Sequence, residues 1–275
     1  MLPYRDGTVE YAVSAPISGR TIGDTNTTLF LHGLAGSIED TRPLASGVHG
    51  TKVFAHLPGH GRSTGPVPLG YEVLAAAARA VADHTGARCA LGVSIGAATI
   101  LRIVAETPDR FDRVVLFLPP AADTPPPGDA RVRHRALAER LTARDEAGAA
   151  AALLTAQPIA VRSRRIARDW AARRAVELIA APGDPYRLLP LATAAPVDDL
   201  DRLRDVTIPV LLIAQEGDPA HPVEVARTIA AAFPNASLEV FDSQGALWGH
   251  RRVLRTIVAP FIDGACSVTN ALDLG

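Results

Sequence analysis

The residues with the clearest chemical potential form the pentapeptide Gly92-Val93-Ser94-Ile95-Gly96. An apolar run, residues 89–91, precedes it, and a stretch with helical patterning follows it. A Gly-x-Ser-x-Gly between a strand and a helix is typical of a nucleophile elbow, a sharp turn that lifts a serine hydroxyl above the edge of a sheet. The glycines leave room for neighbouring backbone that a side chain would hit. Ser94 is therefore the candidate nucleophile.

A serine nucleophile needs several partners. Because its hydroxyl attacks poorly at its free pKa, it needs an adjacent base and a group that orients that base. Attack on a carbonyl also places negative charge on oxygen, which preorganised backbone N–H groups must stabilise. The N–H of Ile95, at the start of the predicted helix, is one such donor.

Strands and helices that could position these groups alternate along the chain. Period-two or continuous apolar runs predict strands, and helical spacing of apolar residues predicts helices. The predicted strands are 8–14, 28–31, 51–55, 89–93, 112–118, 209–214 and 236–241, and the predicted core helices are 71–84, 95–106, 223–233 and 251–262. This order indicates an α/β protein with a mostly parallel sheet covered on both faces.

Residues 121–203 interrupt the alternation. They contain helical patterns at 132–143, 145–156, 161–179 and 186–194 and no run typical of a strand. A helical insertion between two strands would lie above the strand ends, where open α/β sheets bind ligands. We therefore predict a core of 1–120 and 204–264, a helical cap of 121–203, and a loosely ordered tail of 265–275.

Three further motifs accompany the serine pentapeptide. Residues 31–36 (LHGLAG) follow one predicted strand, residues 57–63 (LPGHGRS) follow the next, and residues 213–219 (IAQEGDP) end the strand after the insertion. In this order, and over nearly the whole chain, the four motifs resemble those of the α/β-hydrolase superfamily. The insertion stands where that family has its cap.

The resemblance implies an α/β-hydrolase fold and assigns roles to further residues. Asp218 corresponds to the family's catalytic acid, and the N–H of Leu34 to its second oxyanion donor. Serine, then aspartate, then histidine is the chain order that this fold uses.

The histidine departs from the family pattern. The family places its base just after the last strand, usually as Gly-His, but here Gly245 is followed by Ala246. A second Gly-His pair ends at His250. Either the loop is longer and His250 is the base, or a helix begins near Ala246 and carries His250 about 6 Å along its axis, too far for direct contact with the serine. The expected triad is Ser94, Asp218 and His250, with His221 as a second candidate base.

The remaining histidines, the tryptophans and the arginines of the insertion are interpreted as follows. His32 is expected to hold its turn by hydrogen bonds and, with Trp170 and Trp248, to contribute to substrate binding. His56 and His60 are expected to be structural, and His84 and His134 to be surface positions on helices. An arginine-rich stretch in the insertion fits either a solvated helix surface or a site for a carboxylate- or phosphate-bearing substrate. Its members are Arg162, Arg164, Arg165, Arg168, Arg173 and Arg174.

Composition narrows the function class. The net charge of −1 over 275 residues favours neither nucleic acid nor membrane as a partner. Cys89 and Cys266 form no CxxC pair, so neither a zinc site nor a disulfide framework is indicated. The start of the chain lacks the pattern of a signal peptide, and no apolar run reaches membrane-spanning length. We expect a cytoplasmic protein with a small-molecule substrate, no metal and no cofactor.

Together these features predict serine-dependent hydrolysis of a small ester, lactone or thioester through an acyl-enzyme on Ser94. Ala246 and His56 both depart from the family pattern near the chemistry. They favour an alternative, a non-hydrolytic lyase, cyclase or eliminating enzyme with an altered triad. A binding protein without turnover is a third possibility, disfavoured because both Ser94 and Asp218 are present.

Overall fold

The computed structural model describes residues 1–14, 27–126, 129–181, 184–243 and 245–264. These residues contain the strands β1 (Leu2–Tyr4), β2 (Gly7–Val9), β3 (Tyr11–Ser14), β4 (Thr28–Leu31), β5 (Lys52–Ala55), β6 (Cys89–Val93), β7 (Arg113–Phe117), β8 (Val210–Gln215) and β9 (Ala236–Phe241). β1 and β2 pair in a small antiparallel sheet. The other seven form the central sheet in the order β3-β5-β4-β6-β7-β8-β9, in which only β3 is antiparallel to its neighbour.

Helices follow most strands of the central sheet. They are α1 (Ile38–Thr41), α2 (Tyr71–Thr85), α3 (Ile95–Glu106), α4 (Ala130–Thr142), α5 (Glu146–Thr155), α6 (Ile159–Arg162), α7 (Arg165–Ala180), α8 (Val223–Ala232), α9 (Ala246–Gly249) and α10 (Arg251–Asp263). Three 3-10 segments, Arg42–Ala45, Pro185–Thr193 and Leu200–Asp205, complete the described helical structure. None of these helices is long and apolar enough to cross a lipid bilayer.

The central sheet carries a hydrophobic core on each face, because side chains of a strand alternate between faces. Leu29 and Leu31 pack with α2, α3 and α8 on one side. Phe30, between them in the chain, packs with α10 on the other. The structure therefore confirms the predicted α/β class and the doubly covered, mostly parallel sheet.

The insertion between β7 and β8 holds α4 to α7, and its described residues contain no strand. Its small apolar cluster joins Ala149, Leu153, Ala171 and Ala175 to Ala35 of the loop after β4. The insertion thus packs directly on a loop at the carboxyl end of the sheet.

Some predicted elements differ from the structure. The single strand 8–14 is two strands in different sheets, because Glu10 turns between them and its carbonyl accepts the N–H of His56. The predicted helix 161–179 is interrupted at Arg164, whose backbone is extended (φ −68°, ψ 134°). The predicted helix 186–194 is a 3-10 segment containing Pro190, which lacks the N–H a helix interior needs. The predicted tail 265–275 lies outside the described residues.

Candidate active site

Ser94 occupies a strained turn between β6 and α3. Its backbone has φ 52° and ψ −115°, a conformation that non-glycine residues rarely adopt. The flanking glycines allow it. A Cβ on Gly92 would overlap the backbone of Gly96, and a Cβ on Gly96 would lie 2.6 Å from the carbonyl oxygen of Leu31. The chain thus has the geometry expected of a nucleophile elbow.

His221 is the histidine that contacts Ser94. Its Nε2 lies 2.9 Å from Ser94 Oγ. Its Nδ1 lies 3.1 Å from Asp218 Oδ2, close enough for an ion pair although outside the alignment of a straight hydrogen bond. Catalytic hydrogen bonds in unliganded sites are often misaligned in this way and tighten when substrate binds. The Ser94 hydroxyl, the His221 imidazole and the Asp218 carboxylate therefore form a chain of contacts at the carboxyl end of the sheet.

Asp218 is buried and held as a carboxylate by several donors. Its Oδ1 accepts hydrogen bonds from the backbone N–H groups of Ala220 (2.8 Å) and His221 (3.1 Å). Its Oδ2 accepts a hydrogen bond from Nε2 of Gln215 (2.9 Å). Burial alone would raise the pKa of Asp218, but the His221 ring and these hydrogen bonds together lower it. Asp218 is thus placed to face His221 as an anion.

Gln215 connects the Asp218 loop to the segment after β9. While its Nε2 donates to Asp218, its Oε1 accepts the N–H of Ala246 at 2.9 Å. Ala246 is itself fully buried. Gln215 was not among the residues predicted from the sequence. It lies within the motif 213–219, where only Asp218 had been considered.

His250 does not lie against Ser94. A short helical turn, α9, begins at Ala246, and the backbone of His250 (φ −121°, ψ 30°) then separates it from α10. The His250 ring turns outward, with Nε2 2.9 Å from Asp242 Oδ1. The expectation that a longer loop brings His250 to the serine is corrected here, and the single continuous helix of the other interpretation is absent too.

The two candidate oxyanion donors come from different elements. The N–H of Ile95 is the first of α3, and such first-turn N–H groups have no acceptor within their own helix. Leu34 lies in the loop after β4, and both residues line one cavity with Ser94.

Contacts from two other elements brace the loop that carries Leu34. The N–H of Ala35 donates to Nε2 of His60 at 3.1 Å. From α7, the buried guanidinium of Arg174 donates to the carbonyl of Ala35 through Nε and to that of Gly36 through Nη2, the latter at 2.6 Å. One residue of the insertion therefore fixes the loop beside the serine.

His32 supports the same region from beneath. It is fully buried, its Nδ1 lies 2.7 Å from the carbonyl oxygen of Gly33, and its Nε2 accepts the N–H of Leu57 at 3.1 Å. Burial is the main cause that holds the pKa of His32 well below its ordinary value, and the charge of His60 is the next. His32 is not among the described residues that line the cavity, so its expected place in substrate binding is corrected: both of its ring nitrogens already serve the loop.

His56 is half-buried, and both of its ring nitrogens have hydrogen-bond partners. Its Nδ1 lies 2.9 Å from Glu10 Oε2, and its Nε2 accepts the N–H of Ile38 at 3.2 Å. The departure of His56 from the family pattern thus has a structural explanation.

A cavity of about 630 Å³ opens above Ser94 between the sheet and the insertion. Trp170 and Trp248 both line it, in an edge-to-face arrangement with ring centroids 5.6 Å apart. Their indole nitrogens donate to Asp40 and Gln157. The exposed charged residues lining the cavity are Glu39, Asp169, Arg173, Arg251 and Arg255.

The arginine-rich stretch does not act as one site. Arg174 donates hydrogen bonds to carbonyls of the loop after β4. Arg162 donates hydrogen bonds to the carbonyls of Thr155 and Gln157. Of the six arginines, Arg173 alone is among the described residues lining the cavity with Ser94. In the described part of the chain, no group of three or more His, Cys, Asp or Glu side chains is arranged to hold a metal ion.

Comparisons with known proteins agree with the observed fold. A family model described as alpha/beta hydrolase fold matches residues 27–247. The enol-lactonase from Burkholderia xenovorans LB400 is similar in structure, with a TM-score of 0.77 at 19% identity over 94% of this chain and 99% of that one. A thermophilic esterase from Thermogutta terrifontis has a TM-score of 0.71 at 18% identity over 90% and 91%.

A third similar structure is MGS-M2, an alpha/beta hydrolase enzyme from a Medee basin deep-sea metagenome library. Its TM-score is 0.77 at 15% identity over 98% of each chain. A comparison with curated protein sequences found no match. The family match and these hydrolases support a hydrolase-type enzyme. Because the matched residues make up most of its length, the chain belongs to the α/β-hydrolase fold family.

Proposed function

We propose that this protein hydrolyses a small ester, lactone or thioester through an acyl-enzyme on Ser94, with His221 as the base and Asp218 as the acid. The observation that carries the proposal is the pair of distances at the His221 ring. Nε2 lies 2.9 Å from the serine oxygen, and Nδ1 lies 3.1 Å from the carboxylate. That order of groups is what a weak hydroxyl nucleophile needs.

Acylation begins when Ser94 Oγ attacks the carbonyl carbon and its proton passes to His221 Nε2. The carbonyl electron pair moves onto oxygen, where the N–H groups of Leu34 and Ile95 stabilise the charge. When the C–O or C–S bond to the leaving group breaks, His221 Nε2 returns the proton to that group. Throughout, the Asp218 carboxylate holds the Nδ1 proton and stabilises the imidazolium.

Deacylation repeats these steps with water. A water molecule attacks the acyl carbon while His221 Nε2 takes its proton, and the acyl C–O bond to Ser94 breaks as Oγ recovers a proton from His221. The products are a carboxylic acid and a free serine. For a lactone, the leaving alcohol stays attached and the product is a hydroxy acid.

Cavity size and the similar structures support this substrate range. A cavity of about 630 Å³ is within the usual range for small-molecule sites. The similar structures include an enol-lactonase and an esterase. The lyase or cyclase alternative loses its specific support. That alternative rested on two departures from the family pattern. Ala246 is compatible with the proposed reaction because His221, on the Asp218 loop, contacts Ser94. His56 is accounted for by its pairing with Glu10.

Covalent labelling tests the proposal. A fluorophosphonate probe should modify the wild-type protein at Ser94, located by mass spectrometry of the labelled peptide. Labelling should disappear in Ser94→Ala and fall sharply in His221→Ala. p-Nitrophenyl acetate and butyrate should be hydrolysed only by proteins that label. A wild-type protein that neither labels at Ser94 nor releases p-nitrophenol would overturn the proposal.

A further inference from the structure

Two side chains that carry buried polar atoms line the Ser94 cavity without taking part in the proposed reaction. Tyr71, the first residue of α2, is 2% exposed, and its hydroxyl has no hydrogen-bond partner among the described residues. His134 of α4 presents a buried Nδ1 that also has no partner there. Both residues line the same cavity as Ser94 and His221.

The two residues come from different parts of the fold. Tyr71 belongs to the sheet domain and packs in the core that includes Ile95, the residue after the nucleophile. His134 comes from the insertion and lines the cavity together with His221. The cavity that contains Ser94 is thus lined by one such residue from the sheet domain and one from the insertion.

Both groups are uncharged at neutral pH. Burial raises the pKa of the Tyr71 hydroxyl. Burial, followed by the charges of Arg133 and His221, lowers the pKa of His134 to about 4. The charged side chains of the cavity include the half-buried Arg133, which precedes His134 in the chain and pairs with Asp129, and the exposed Arg251 and Arg255. Neutral donors and acceptors pair well with hydroxyl and carbonyl groups and offer no charge to balance a buried ion.

A buried polar group without a partner disfavours folding, so its presence needs an explanation. At functional sites such groups are tolerated because a ligand satisfies them. A hydrogen-bonding pocket also discriminates strongly, since an analogue without the matching group leaves the protein's own groups unpaired.

We infer that Tyr71 and His134 are substrate-recognising residues, and that the substrate carries an uncharged hydroxyl or carbonyl group separate from the carbonyl under attack. This inference rests on the proposed function, because it takes Ser94 as the point of attack. It deepens that proposal from small esters in general to oxygenated ones.

Paired substrates test the inference. The probes are p-nitrophenyl butyrate and hexanoate, each compared with its 3-hydroxy, 3-oxo and terminal-hydroxy counterparts. We expect the wild-type protein to have a higher kcat/KM for at least one oxygenated ester than for its plain partner. Tyr71→Phe or His134→Phe should lower that preference about tenfold, because kcat/KM falls further for the oxygenated ester than for its plain partner.

Matched controls come from the same residue types elsewhere. Tyr186→Phe in the insertion and His84→Phe on α2 alter residues that are not among the described lining of the cavity, and they should keep the wild-type preference. Thermal unfolding separates recognition from structure. Because the Tyr71 hydroxyl has no partner in the described protein, Tyr71→Phe should leave Tm unchanged or raise it.

A binding readout keeps this test independent of turnover. Both tryptophans of the chain, Trp170 and Trp248, line the cavity, so tryptophan fluorescence reports its occupancy. In a Ser94→Ala background, ethyl 3-hydroxyhexanoate should change the fluorescence at lower concentration than ethyl hexanoate, and the added Tyr71→Phe or His134→Phe change should remove the difference.

The two proposals fail in different ways. If esters are hydrolysed and Ser94 labels, but neither variant changes the preference for oxygenated esters in turnover or binding, the inference is wrong and the proposed function stands. If no ester is hydrolysed and Ser94 does not label, the proposed function is wrong. Equal binding of the two ethyl esters in all variants then overturns the inference as well.

Discussion

Asp218 holds His221 twice: its Oδ1 accepts the backbone N–H of His221 at 3.1 Å, and its Oδ2 lies 3.1 Å from the Nδ1 of the same ring. Asp218 therefore fixes both the loop that carries His221 and the orientation of the His221 imidazole. Only two residues separate Asp218 from His221 in the chain. Their relative position therefore depends on the conformation of one loop and not on the packing of two loops against each other.

Substitution of the elbow glycine at position 96 should destabilise the fold. A Cβ on Gly96 would lie 2.6 Å from the carbonyl oxygen of Leu31 and could be accommodated only by moving β4 or α3. We expect Gly96→Ala to lower the free energy of unfolding by about 1–3 kcal/mol, measured by urea denaturation. Gly33→Ala is the control, because its nearest neighbour, Ser94 Cβ, is 3.4 Å away. Equal stability of the two variants would contradict this account of the elbow.

Gln215 should matter for both stability and activity. Gln215→Leu removes the donor to Asp218 and the acceptor of the Ala246 N–H, and it leaves both groups buried. The expected loss is about 1–3 kcal/mol in the free energy of unfolding, with a lower kcat against p-nitrophenyl butyrate because the acid loses one of its anchors. A variant with wild-type stability and wild-type kcat would show that the bridge is dispensable.

Arg174 should position the loop that carries Leu34. Arg174→Met takes away the donors to the carbonyls of Ala35 and Gly36, so we expect a fall in kcat of about tenfold or more with little change in KM, together with a lower Tm. Arg168→Met is the matched control, since Arg168 is exposed on the same helix and is not among the described residues that line the cavity. Similar kinetics for the two variants would argue against a positioning role.

Low pH should lower the free energy of unfolding, partly because of His134. Its pKa in the folded protein is lowered to about 4, against an ordinary value near 6.5, so between these pH values the unfolded chain binds a proton that the folded one does not. Stability attributable to this group is present above about pH 6.5 and is lost as the pH falls towards 4.

Urea unfolding at pH 7.5 and pH 4.5 measures this contribution. Between the two pH values the wild type should lose more free energy of unfolding than His134→Phe, by on the order of 1–3 kcal/mol. Val132→Ala, on the exposed face of α4, should behave as the wild type does. An identical pH dependence in His134→Phe would mean that this ring titrates normally in the folded protein.

The sequence was most informative where function depends on a local backbone motif. Ser94, its glycines and Asp218 each lie in a short segment whose neighbours already specify a strand end. The strand and helix pattern likewise specified the α/β class, because apolar runs and helical spacing report burial directly. Splits such as that at Glu10 depend on pairing between distant strands, which no local pattern shows.

The positions of the proposed base and of the proposed recognition residues depend on tertiary structure. His250 carried the more familiar dipeptide, yet the path of α9 turns it toward Asp242, while His221 reaches Ser94 because its loop folds around the Asp218 carboxylate. His134 had been expected at the surface. It lines the cavity because the insertion packs over the sheet, an arrangement that helical periodicity within α4 alone does not specify.

The central claim, that His221 is the base, is tested most directly by comparing His221→Ala with His250→Ala against p-nitrophenyl butyrate. Removing the base of such an arrangement lowers kcat by about three orders of magnitude or more. We therefore predict that loss in kcat/KM for His221→Ala and a change of less than about twofold for His250→Ala, with both proteins folded by circular dichroism. Retained hydrolysis in His221→Ala, or its loss in His250→Ala, would contradict the account.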